Sequence, residues 1–451
     1  MKTVVIAAFA AALLAGCSYS VQGKAGESSR LDPTKVAGLA ITTGDSGLRA
    51  GAPAPDKQVR NSDEGAIDRL ATSAVADVED YWREQFPNQF DKDFAPVRQL
   101  VSYDSRGANQ ELCGTNTFGL VNAFYCAGDD LVAWDRGALL PSFDEISAAA
   151  VLAHEMGHAV QFRLGIDGNA PSIVKEQQAD CFAGNYFRHV AEGKSKRFEL
   201  STGPGLNQIL ATLFSIRDSA GSGFDSEGAH GTAFDRVTAF GFGFAEDPQR
   251  CARIDVEEIK KRSTQQAFGD QDTDVGLGRG NLPVDDRQAL QDLRDSLGAA
   301  FPDAKVRIDP SCRKTQPASY CETGVIGIDL PGLVKLSRIG DFAAFGAVAS
   351  RYAVAMQESN GLPIEGLAAG QRTACLTGLW ASTIVRGRKA ALELSPGDLD
   401  EAIVELLSPN SLIAGDVNGA TIPSGFARVE AFRDGFLSGS ADTCVARYRS
   451  S

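Results

Sequence analysis

Apolar positions recur along this chain in several rhythms, and each rhythm predicts a different element. From residue 4 to residue 14 the apolar run is unbroken, about eleven residues where a bilayer span needs about twenty, so it predicts an export leader rather than a membrane span. Residues 18–56 mix Gly, Ser, Ala, Pro and Lys with scattered apolar positions and no sustained period, the pattern of a flexible tether, assigned to 17–60. Amphipathic helices are predicted to close at Phe86-Pro87 and at Phe301-Pro302. Between 142 and 162 the positions Ile146, Ala149, Ala150, Ala153 and Val160 suit a buried helix bracketed by Pro141 and Gly165, and a further helix is expected over 173–180. A strand-like apolar run ends at Asp135, and residues 122–125 read as a strand leading into Cys126.

The same pattern occurs twice. Phe234, Arg236, Val237, Ala239 and Phe240 are matched 192 residues later by Phe426, Arg428, Val429, Ala431 and Phe432, with Gly243-Phe244 meeting Gly435-Phe436. Cys181, Gly184 and Asp135 meet Cys375, Gly378 and Asp329 at a spacing of 194. The expectation is two tandem copies of one unit, 61–268 and 284–451, joined by an acidic, Gly-rich linker over 269–283. The order of elements predicts an α+β fold, helices packed on a small antiparallel sheet, with the copies face to face about a pseudo-two-fold axis.

Composition narrows the classes. A chain of 451 residues, 43% hydrophobic and 23% charged, is globular with length for two or three domains. Its formal net charge of −14 and lack of any basic tract exclude a protein that grips nucleic acid by its phosphates. Lys2, the apolar run and then Leu14-Ala15-Gly16-Cys17 resemble a bacterial lipoprotein signal, with 1–16 removed and Cys17 lipidated. Such a protein is exported and anchored to a bilayer through Cys17, at the outer face of a bacterial cell membrane or at an outer membrane in a Gram-negative source. An oxidising compartment makes disulfides available. The repeat pairs the remaining eight cysteines internally as Cys113–Cys126, Cys181–Cys251, Cys312–Cys321 and Cys375–Cys444.

Candidate chemistry sits in the first copy. His154-Glu155-Met156-Gly157-His158 is an H-E-x-x-H on a predicted helix, where residues four apart share a face, so both imidazoles can reach one zinc ion while Glu155 projects beside it. Glu176 and Asp180, four apart on the next helix, can supply the third ligand and a carboxylate that orients His154. Cys181 is assigned to structure, because Cys375 persists where no such site exists.

His154 to Gln161, followed by Glu176-Gln177-Gln178-Ala179-Asp180-Cys181, resembles the bacterial family described as "putative neutral zinc metallopeptidases", and more widely the thermolysin-like gluzincins. The resemblance covers about residues 110–255 and implies that His154, His158 and Glu176 bind zinc, that Glu155 is the general base, and that Asp180 stands behind His154. It also implies a gluzincin-like unit present twice, the second in degraded form. Gln177 and Ala159 stand where relatives often carry Leu and a second His; neither is a ligand position. At the repeat spacing every one of the five site residues is lost, replaced by Val348, Ala349, Tyr352, Gly370 and Ala374.

His230 meets Ile422 and so disappears with the ligands; its Gly-rich loop resembles the place where gluzincins keep a histidine that stabilises the oxyanion, with Asp225 or Glu227 to orient it. Asn122, Ala123 and Tyr125 resemble the edge strand that such enzymes pair with an extended peptide, and Tyr125 is a further candidate oxyanion donor. His189 lies on another helix face and is given no role. The expected function is zinc-dependent hydrolysis of peptides or proteins, with Glu155 moving the proton. Two other readings stay open: a non-catalytic envelope scaffold or adhesion protein with a vestigial zinc site, and a zinc amidase acting on peptidoglycan peptides. No residue pattern assigns an oligomeric state.

Overall fold

The computed structural model describes residues 32–449 apart from 167, 227, 264–266, 269–278, 323 and 387–391. The predicted leader, Cys17 and most of the predicted linker lie outside the described residues. Among the described residues no helix is long and apolar enough to cross a membrane.

The first half begins with β1 (Val59–Arg60), α1 (Ala66–Phe90) and β2 (Gln99–Tyr103), followed by the hairpin β3 (Ala123–Cys126) and β4 (Leu131–Asp135). These strands form one sheet in the order β1-β2-β4-β3. The sheet is mixed, not antiparallel as expected: β1, β2 and β4 run parallel and only β3 is antiparallel. The physical reason is α1, which carries the chain back across the sheet between β1 and β2 and so makes them parallel, whereas the four-residue connection from β3 to β4 permits only a hairpin. The expected end of the first helix at Phe86-Pro87 is also revised. α1 continues through Pro87 to Phe90, because a proline in the last turn forfeits one backbone donor while its own carbonyl still accepts from Asp91 N.

α2 (Glu145–Leu164) lies against β3, α3 (Ser172–Ala191) packs on α2, and α4 (Pro204–Ser215) and α5 (Ala233–Ala245) follow, α5 on α3. Asp144 caps α2 by accepting from Ser147 N, and Gly165 ends it with a left-handed φ of 73°. α3 and α5 meet backbone to backbone: a Cβ on Gly243 would fall 1.8 Å from the Cys181 carbonyl oxygen. The Cys181–Cys251 disulfide ties the end of this layer to α3.

The second half follows the same order: α6 (Arg287–Ala300), β5 (Arg307–Ile308), β6 (Ala318–Tyr320), β7 (Val325–Ile328), α7 (Asp341–Ser359), α8 (Leu367–Arg386), α9 (Asp398–Leu407) and α10 (Gly425–Ser438). β5 is parallel and β6 antiparallel to β7. Gly435 lets α10 approach α8 as Gly243 lets α5 approach α3. Cys113 is bonded to Cys126, Cys312 to Cys321 and Cys375 to Cys444, the pairs expected from the repeat spacing.

The halves share one continuous apolar core. α5 faces α10 through Phe234 against Phe436, 5.2 Å between ring centres, and Phe244 against Phe426 at 5.1 Å. The segment expected to be a tether is packed from residue 35 onward. Val36 is fully buried, Thr42 and Thr202 bond reciprocally, Ser46 bonds Ser201, and Gly47–Leu48 pairs with the strand Phe198–Glu199. This docking joins hydroxyls and main chain to a few apolar contacts, Val36, Ala37, Leu39, Ile41 and Leu48 against the core, too short a run to stand out from the Gly/Ser/Pro-rich sequence around it.

Candidate metal centre

Two helices bring the polar cluster together. Gly157, inside the H-E-x-x-H, allows it: a Cβ there would lie 2.7 Å from Ala179 Cα and from its carbonyl oxygen, so any side chain would separate α2 from α3. At that contact the Glu176 carboxylate faces both imidazoles, Oε2 at 3.0 Å from His154 Nε2 and Oε1 at 3.4 Å from His158 Nε2. Two donors bound at zinc distances to a tetrahedral ion stand about 3.4 Å apart, so the spacing fits one zinc. One donor atom from each of the three residues lies within 4.8 Å of the other two.

The far sides of both rings are fixed. His154 Nδ1 faces Asp180 Oδ1 at 2.8 Å, and Asp180 is gripped by Arg236 through Nε at 2.9 Å and Nη2 at 2.8 Å. A carboxylate committed to arginine only accepts, so the His154 proton belongs on Nδ1 and the lone pair on Nε2 points at Glu176. His158 Nδ1 lies 2.9 Å from Gln161 Oε1, while the Gln161 amide donates to Lys175 O and Gln178 Oε1. The same logic leaves His158 Nε2 free. Glu176 Oε2 is buried without a hydrogen-bond donor. Lone-pair atoms so arranged repel one another unless a cation, proton or metal, lies among them, and two imidazoles with one carboxylate are a donor set suited to zinc.

The titration shifts have the same origin. Burial opposes the charged form of His154, but Asp180 and then Glu176 outweigh it and raise the imidazole to about 10. His158 is likewise raised, Glu176 outweighing burial. Burial works against ionised Glu176, yet His158 and His154 hold it well below the usual carboxylate range. Asp180 is lowered by Arg236 and His154 against its burial. Glu155 moves the other way: burial pushes it up despite both histidines.

Glu155 projects into a cleft of about 370 Å³ that also reaches His154, His158, Glu176, His230 and Arg236. One wall is β3, the free edge of the sheet. Asp135 N donates to Asn122 O, so in the alternation of an antiparallel pair the main-chain groups of Ala123 and Tyr125 point away from β4. Tyr125 N donates to Glu155 Oε2 at 2.9 Å. The Tyr125 hydroxyl is not a free oxyanion donor. It donates to Asp130 and accepts from Arg163, and burial with Asp130 pushes it up to about 12.

His230 borders the cleft with its side chain about half exposed. Its orienting carboxylate is Asp218, in place of the expected Asp225 or Glu227: Asp218 Oδ1 lies 3.3 Å from Nδ1, and Oδ2 accepts from the His230 main-chain N–H at 2.9 Å. Folding the loop back brings Asp218, twelve positions upstream, onto His230, while Glu227 lies outside the described residues. The hydrogen bond that Asp218 accepts raises the imidazole. His189 instead packs on Tyr81, ring centres 5.1 Å apart.

Arg236, Gln161 and Asp218 escaped the sequence reading. Arg236 has a repeat partner in Arg428, which looked like a fold residue; both bond main-chain carbonyls, Arg236 to Ile216 and Arg428 to Ser408, but only Arg236 also grips Asp180. Ala374 stands at the position matching Asp180.

The sequence profile of the family described as "Putative neutral zinc metallopeptidase" matches residues 25–253. The "Uncharacterized protein YpfJ" of Escherichia coli strain K12 is 30% identical over 237 residues, spanning 46% of this chain and 78% of that protein, and the protein of that name from Escherichia coli O6:H1 matches equally. No solved structure matches.

Proposed function

This chain belongs to the neutral zinc metallopeptidase family, and on that premise we propose that it is a zinc-dependent endopeptidase of the thermolysin-like type. The observation that carries the reading is the convergence of His154 Nε2, His158 Nε2 and Glu176 beside Glu155, on a cleft walled by a free strand edge. Three protein ligands rather than four leave a position open for chemistry, which favours a catalytic over a structural ion.

His154, His158 and Glu176 would hold a zinc ion, and Asp180 and Gln161 orient the two imidazoles. When bound, zinc supplies Lewis-acid activation of water and of the scissile carbonyl. Glu155, desolvated and with a raised pKa, takes the proton of the attacking water and returns it to the leaving nitrogen. The outward main chain of Ala123 and the outward carbonyl of Tyr125 pair with an extended peptide and set it across the cleft. The hydrogen bond from Tyr125 N links that strand directly to the base. His230, with Nδ1 turned to Asp218, presents its other nitrogen for the developing oxyanion.

The second half is read as a degenerate copy. Its elements follow the first in order and its glycine contacts and disulfides recur, while Val348, Ala349, Tyr352, Gly370 and Ala374 offer no metal ligands in a matching pattern. The Leu14-Ala15-Gly16-Cys17 sequence supports export and lipid anchoring. Replacing Cys17 by Ser should abolish labelling by a palmitate analogue and release the chain from membranes; unchanged labelling would refute the anchor.

Metal analysis of the chain lacking residues 1–17, together with cleavage of unstructured casein, tests the activity. About one zinc per chain and chelator-sensitive cleavage are expected. Glu155→Gln should keep the zinc and lose roughly 10²–10⁴-fold in kcat. Full activity in Glu155→Gln would overturn the mechanism, and absence of zinc would overturn the assignment.

A further inference from the structure

The loop that carries His230 is not held by the metal-binding half alone. It leaves α4 at Ile216 and enters α5 at Ala233, and its base is closed by Asp218, whose N–H donates to Gly231 O and whose Oδ2 accepts from His230 N and Gly231 N. His230 itself is about half exposed, so packing does not fix it. The loop is also held from the second half. Asp400, on α9 and 5% exposed, accepts from Arg217 Nε through Oδ2 at 2.9 Å and from Phe234 N through Oδ1 at 3.1 Å.

Arg217 precedes the loop's closing residue Asp218, and Phe234 lies in the first turn of α5, two residues before Arg236. One carboxylate from the second half therefore clips both ends of the His230 loop. Arg217 is held to this path by its own neighbours, lying 3.7 Å over the Phe214 ring and donating to Phe214 O. The Phe234 amide is one of the first-turn donors that a helix cannot satisfy internally. Thr232 caps the adjacent Asp235 N, so Asp400 completes the cap from across the interface.

We infer that Asp400 is a positioning residue for peptide hydrolysis: through Arg217 and Phe234 it holds the His230 loop over the cleft, and this gives the second half a part in catalysis. The inference rests on the peptidase reading and on the oxyanion role of His230 within it. Asp400 touches no substrate; it acts by fixing where His230 sits.

The test is a double-mutant cycle in the full chain. Asp400→Ala should lower kcat about 10–100-fold, the scale of a small misplacement of a catalytic group, with KM within about threefold and zinc content unchanged. Asp400→Asn, which keeps an acceptor for Phe234 N and the packing, should recover a large part of the loss. In a His230→Ala background, Asp400→Ala should cost no more than about twofold further, because the group it positions is gone. Equal losses in both backgrounds, or a loss of zinc matching the loss of activity, would overturn the inference. Hydrogen exchange at Gly231 and Phe234 is read beside it and needs no turnover. Faster exchange in Asp400→Ala than in the parent supports the clip even if casein is not cleaved; unchanged exchange refutes it. A parent without chelator-sensitive cleavage refutes the peptidase reading instead, so the two failures are distinguishable.

Discussion

His154 and His158 look alike in the motif, yet the protein supports them differently. A carboxylate already engaged by arginine stands behind His154, and a neutral amide stands behind His158. Both partners leave Nε2 free toward Glu176, and only Asp180 adds negative charge, which against burial raises the His154 imidazole. This has a consequence for pH. In the metal-free protein the His154 pKa is raised from 6.5 to about 10, so its protonation contributes stability that is full below about pH 6.5 and fades as pH rises toward 10. Zinc must displace that proton. The rise in Tm on adding zinc is therefore expected to be larger near pH 8 than near pH 6, measurable by thermal denaturation at both; the reverse order would contradict the proton competition.

At the scale of elements, the site exists because two helices approach more closely than side chains allow. Gly157 against Ala179 sets the α2–α3 distance, and Gly243 and Gly435 set the α3–α5 and α8–α10 distances. Adding a methyl to such contacts forces the backbones apart at a cost of roughly 1–3 kcal/mol or more. Gly157→Ala should both destabilise the protein and weaken zinc binding, since it shifts the imidazoles against Glu176. Gly435→Ala should destabilise while leaving zinc affinity within about twofold, since α8 and α10 carry no ligand. Titration of both variants with a zinc indicator separates the effects, and equal weakening in both would show that the contact at Gly157 has no special role.

Across the whole molecule, the halves are joined by aromatic packing as well as by Asp400. Phe234, Phe244, Phe426 and Phe436 lie in one buried seam, and the apolar cluster runs through it without a break. Unfolding in urea should accordingly show one transition. Phe436→Ala is expected to lower stability by roughly 3–5 kcal/mol, read from the shift of that transition. Two separate transitions in the parent chain would mean that the seam does not couple the halves.

The local chemistry was legible because it is written in short spacings: the step of four positions from His154 to His158 and from Glu176 to Asp180 is helix geometry, which needs no knowledge of the rest of the chain. The disulfide pairs were legible because the pattern recurs, and the recurrence separated Cys181 from the ligands. What was not legible depends on residues that meet across long stretches of chain. Arg236 reaches Asp180 over 56 positions and Asp400 reaches Phe234 over 166. The Thr42–Thr202 and Ser46–Ser201 bonds and the parallel order of β1, β2 and β4 belong to the same class. Such contacts carry no period, because a hydrogen bond or ion pair between distant segments requires only that the fold bring two groups together, and local sequence has no record of that meeting.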